Sequence, residues 1–202
     1  MTAQRVRGAV VYQAGMAIDA DGDPAAYDPR GHGDDFLANA GHPGDWYGVL
    51  VDAKGNPVVQ GDDDPYPGDY IPTTSMRDRD RKLTDPRAYV DSRVVPYASI
   101  PRELLHDPLE TGDVGVACFA GKRCAFIVAD VGPKGKYGEG SIALAKALGI
   151  NADPRHGGTS SGVTWVFFPS TARMPKWPRS NDDVAQQAML LFDAWNVTGT
   201  VR

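Results

Sequence analysis

Glycine and proline interrupt this chain so often that only short regular elements fit between them. The 23 Gly and 16 Pro among 202 residues are scattered without a period. They therefore read as turns between strands rather than as a collagen-like or disordered tract. Between them lie runs rich in Val, Tyr, Phe, Ile or Trp: Gly8 to Tyr12, Tyr47 to Asp52, Tyr89 to Ile100 broken near Pro96, Asp113 to Cys118, Arg123 to Asp130, and Val163 to Phe168. Six such runs predict a mainly β fold, a barrel or a sandwich. Two stretches switch to helical spacing. Ser141 to Leu148 places Ile142, Ala145 and Leu148 along one side. Asn181 to Trp195 places Val184, Ala188, Leu191, Phe192 and Trp195 on one face, with Ser180 set to cap the start and Asp182 and Asp183 at the positive end of the dipole. That stripe reads as core packing.

A hydrophobic content of 42% and a charged content of 23% suit one soluble domain over 1–202. The region from Pro24 to Pro86 is polar and reads as loops decorating a small core. A net charge of -5 argues against a nucleic-acid surface and against adsorption to an anionic membrane, and suits a cationic or neutral ligand better. No run reaches the roughly 18 apolar residues of a membrane span, and Met-Thr-Ala-Gln-Arg-Val-Arg is not followed by the apolar core of a secretory signal. Cys118 and Cys124 flank a Gly121 turn and are compatible either with a short disulfide or with two reduced thiols. Without His partners they make no zinc site, and no dinucleotide fingerprint or Walker loop is present, so neither a metal nor a cofactor is expected.

Two acidic clusters carry the chemical interest. Met16-Ala-Ile-Asp-Ala-Asp-Gly-Asp-Pro24 runs an apolar strand end into Asp19, Asp21 and Asp23. It is not an EF-hand, because Pro24 and Arg30 stand where that loop needs Gly and a bidentate Glu. A turn capped by Asp side chains, a subsite for a cationic or hydroxylated ligand and, last, a metal site are the readings left open. In the second cluster a buried strand emerges at Asp130, a Gly- and Pro-rich loop follows, and Glu139 arrives just before a helix start at Ser141. One acid at the end of an apolar strand and another near a helix N-terminus occupy different environments, which is how one site obtains both an acid and a base.

In combination these pieces resemble glycoside hydrolase family 75, the chitosanases. The matching segments are Met16 to Gly22, Pro96-Tyr-Ala-Ser-Ile-Pro101, the strand pair Gly115 to Val128, Asp130, and Gly138-Glu-Gly-Ser141, across about residues 10 to 170. The Asp-x-Gly-Pro loop and the following Ser-led helix also look like the double-psi β-barrel signature. The resemblance implies a six-stranded double-psi-like β-barrel with two flanking helices, the second of them (181–195) packed on the core.

It further implies Asp130 and Glu139 as the catalytic pair of an inverting hydrolase of β-1,4-linked amino-sugar polymers, chitosan first, with Asp130 as acid and Glu139 as base. Asp19, Asp21, Lys136, Tyr137, Ser141 and Ser160 are the expected substrate-binding residues, and Tyr137 and Trp46 would either stack on sugar rings or serve as packing. Lys134 and Lys136 would repel an ammonium if they faced the cleft. A polysaccharide partner and extracellular or periplasmic action follow from the same resemblance. Two other functions fit the same residues: cleavage of peptidoglycan strands, and a non-catalytic, expansin-like binding module.

Overall fold

A computed structural model describes residues 3–197 of the chain. Among these residues the strands are β1 (Gln4–Val6), β2 (Ala9–Asp19), β3 (Gly41–His42), β4 (Asp45–Trp46), β5 (Tyr97–Pro101), β6 (Val114–Phe119), β7 (Lys122–Gly132), β8 (Glu139–Ser141) and β9 (Thr159–Phe168). The helices are α1 (Ile142–Leu148) and α2 (Asn181–Val197). Strands β2, β8, β5, β7, β6 and β9 are hydrogen-bonded in that order, and β9 pairs back onto β2, closing a six-stranded barrel. Two pairs, β2 with β8 and β5 with β7, are parallel and the rest antiparallel. The fold is therefore mainly β with two helices, as expected, and among the described residues no helix is long and apolar enough to cross a membrane.

The barrel interior is filled from alternate positions. Along β2, Val10, Tyr12, Ala14, Met16 and Ile18 point inward. They meet Phe126 of β7 and Trp165 and Phe167 of β9, whose rings stack edge-on and offset at 5.0–6.3 Å. Outside the wall, α2 lays Val184, Ala188 and Phe192 over residues such as Val116 and Ile127 of β6 and β7. Strand β7 is thus covered on both faces, which explains its unbroken apolar run.

Both helices follow their local signals. Ser141 accepts from the Leu144 N–H and Gly149 closes α1 in the left-handed conformation (φ 75°). Ser180 accepts from the Asp183 N–H at 3.1 Å.

Several strand expectations need correction. Tyr47 to Asp52 is not a barrel strand: it makes only isolated bridges, Val49 to Pro72 and Val51 to Pro57, against prolines that lack the N–H a ladder needs. Tyr89 to Pro96 turns about Asp91, whose carbonyl accepts from Val94 and Val95, so only Tyr97 to Pro101 is extended. The missing barrel strand is β8, three residues within the segment read as loop and helix start. Strand β2 also runs on past Tyr12 to Asp19. The cysteines are free: β6 pairs with β7 so that Cys124 opposes Ala117 and Cys118 opposes Arg123, putting the two thiols on opposite faces of the sheet.

Candidate active site

The barrel order places the acid-bearing strands side by side. Asp19 ends β2, Glu139 opens β8, Ser99 lies in β5 and Asp130 lies in β7. Ser99 is the register partner of both Glu139 and Asp130, so one strand separates the two acids. Two strand spacings amount to about 10 Å between their backbones. The β5–β7 register slips by one residue at Ser99, and such bulges re-aim side chains next to sites. Glycine makes the approach possible. A Cβ on Gly132 would sit 2.9 Å from Glu139 Oε2, and one on Gly138 would sit 2.4 Å from the Gly15 carbonyl.

Above these strand ends lies a cleft of about 850 Å³ that brings together Asp19, Asp21, Asp35, Asp130 and Glu139, against only Lys136 and Arg102 as cations. Asp130 Oδ1 accepts two hydrogen bonds from Ser75, one from the backbone N–H at 2.8 Å and one from the hydroxyl at 2.5 Å. Burial pushes the Asp130 carboxyl above the usual range, and Ser75 partly offsets it. Asp19 and Asp21 are pushed well above that range, first by burial and then by the surrounding carboxylates. Asp19 Oδ1 caps the Asp21 N–H at 2.9 Å, and Asp21 Oδ1 accepts from the Tyr27 hydroxyl at 2.6 Å. Glu139 pairs with Lys136, whose Nζ lies 2.5 Å from Oε1. One oxygen each of Asp19, Asp21 and Asp130 falls within 4.8 Å of the others, so these three are the groups that could share a cation or an ammonium.

Of the residues expected from sequence, Asp19, Asp21, Asp130, Glu139 and Lys136 meet in the cleft. Lys136 does face it, but with its charge matched by Glu139. Four others lie elsewhere. Ser141 is buried, its hydroxyl donating to the Val95 carbonyl and accepting from the Tyr97 and Leu144 N–H groups, which leaves it nothing for a ligand. Tyr137 packs edge-on against Tyr12 at 5.1 Å, Trp46 packs against Tyr70, and Ser160 stands exposed on β9 without lining the cleft. Asp23 is structural: it caps the Ala25 N–H and pairs with Arg93 Nε at 2.6 Å.

The polar region read as decoration supplies a whole wall, including Tyr27, Asp35, Asn39, Tyr47 and Ser75. Nothing local distinguishes Ser75 from any other loop serine; only its contact across 55 residues of sequence does. No family model matches the chain, and no curated protein matches it.

Proposed function

We propose that this chain is an endo-acting, inverting glycoside hydrolase of β-1,4-linked amino-sugar polymers, with chitosan as its first substrate. The observation that carries this reading is the pair of acids set one strand apart at the floor of an open acidic cleft. In an inverting hydrolase the two carboxyl groups stand about 6.5–9.5 Å apart, so that a water fits between one of them and the sugar. Backbones about 10 Å apart with side chains converging on one cleft are compatible with that spacing.

Asp130 serves as the acid. Burial favours its protonated form, and with Oδ1 accepting twice from Ser75, we assign to Oδ2 the proton delivered to the leaving glycosidic oxygen. Glu139 serves as the base, its carboxylate matched by the Lys136 ammonium and set to take a proton from the attacking water. The carboxyl groups of the cleft outnumber its cations, and an ammonium brought beside the crowded Asp19, Asp21 and Asp130 favours their charged forms, which supports a positively charged polymer over a neutral one.

The test is incubation with chitosans of graded acetylation and with purified peptidoglycan, products being read by mass spectrometry and the new anomer by NMR. Chitosan oligomers released first in the α configuration support the reading. D130N and E139Q are expected to abolish release while retaining ligand. Cleavage of peptidoglycan alone would replace the substrate, and binding without cleavage by the wild-type protein would make the chain a binding module.

A further inference from the structure

Among the described residues Tyr47 is the one large aromatic residue that both lines the acidic cleft and stays mostly in water, at 64% exposure. Its ring stacks on no other ring or cation among the described residues. The side chain is nonetheless tethered at both ends. Its hydroxyl donates to the Ala38 carbonyl at 3.2 Å, and its backbone N–H donates to the Ala40 carbonyl at 3.0 Å. A tethered, uncovered ring face is a stacking platform that loses less entropy than a free side chain when a ligand covers it. Phe36, also exposed, offers no such face, because His156 and Arg155 already pack on its ring.

The next residue ties this platform to the acids. A Cβ on Gly48 would lie 3.1 Å from Asp21 Oδ1 and 2.9 Å from the Ala40 Cα. Only glycine lets the backbone after Tyr47 pack this closely on Ala40, with the Asp21 carboxyl group beside it. Tyr47 and Asp21 therefore line one cleft from neighbouring stretches of backbone, an apolar face and a carboxyl group that a ligand carrying a flat C–H face and a cation can engage together.

We propose that Tyr47 and Asp21 form a single amino-sugar subsite, with the pyranose ring lying on Tyr47 and its 2-ammonium meeting Asp21. This rests on the hydrolase reading for its substrate class and adds the residues that select the free amine over its acetylated form. An N-acetyl group would bring an uncharged amide to a carboxylate already crowded by Asp19 and Asp130, leaving that crowding unrelieved. A cation beside the ring also gains from the aromatic quadrupole.

The test compares wild type with Y47A, Y47W, D21N and, as an exposed tyrosine outside the cleft, Y66A. Turnover of glucosamine oligomers and of their half-acetylated counterparts gives KM and kcat, and calorimetric titration with a glucosamine hexamer gives affinity. Y47A is expected to raise KM and Kd for the glucosamine oligomer about tenfold, with kcat changed far less, and Y47W to restore both. D21N is expected to narrow the preference for the free amine by about tenfold. Y66A should leave every value in place.

Unchanged affinity in Y47A, or an equal loss for acetylated and free oligomers in D21N, would overturn the subsite. A wild type that binds the hexamer through Tyr47 without cleaving it would sink the hydrolase reading and leave the subsite standing. A wild type that does not bind it at all would end both.

Discussion

Ser75 gives both its backbone N–H and its hydroxyl to one oxygen of Asp130, Oδ1, at 2.8 and 2.5 Å. A loop residue thereby engages one oxygen of a barrel acid from 55 residues away in sequence. Replacing Ser75 by Ala removes one of the two bonds and is expected to lower kcat about tenfold with KM little changed. That hydrogen bond holds the Asp130 carboxyl down against burial, so its loss raises the carboxyl further. The alkaline limb of the rate profile, where the acid loses its proton, should then move to higher pH. S75T should restore the wild-type profile, and a rate–pH series on the three proteins checks it.

Asp19 and Asp21 hold their protons more tightly in the folded protein than in the unfolded chain. Their destabilising effect is absent below the ordinary carboxylate range of about 4, builds as pH rises, and is complete above their raised folded values. Asn at position 21 keeps an oxygen for the Tyr27 hydroxyl and removes the charge. D21N is therefore expected to melt at least about 2–4 °C higher than wild type at pH 8, and the gap should close near pH 3.5. A thermal-melt series across pH that shows a constant gap would refute the claim.

Lys136 and Glu139 form a pair in which the lysine side chain is half exposed and the glutamate nearly buried. K136M leaves the carboxylate without its partner, at an expected loss of about 1–2 kcal/mol, less than for a fully buried pair. Adding E139Q removes the stranded charge, so the double variant should recover part of that loss. Urea unfolding of the two variants decides it, and a double variant no more stable than K136M would count against the pairing.

Gly138 delivers Glu139 to β8 with φ at +79° and its hydrogen-facing side pressed on the Gly15 carbonyl, so an added methyl has no room. Gly135 has the same φ but open space around it. G138A is expected to cost about 3 kcal/mol or more, against about 1–2 kcal/mol for G135A. The difference in melting temperature between the two variants is the measurement.

Local signals in the sequence determined the elements that depend on near neighbours. The apolar runs of β6, β7 and β9, the Ser141 and Ser180 caps, and the emergence of Asp130 at a strand end and Glu139 at a helix start are written within a few residues of where they act. Where alternation carried on through Ala14, Met16 and Ile18, the signal for the full length of β2 was also present. Tertiary structure alone decided which strands became neighbours, because a three-residue strand such as β8 has no propensity of its own and forms only between β2 and β5. It also decided which acids met and which residues wall them in. Tyr47, brought to the same cleft as Asp21, and Ser75, reaching Asp130 across 55 residues, are polar loop positions in sequence, and the long-range packing that places them there is encoded in no local pattern.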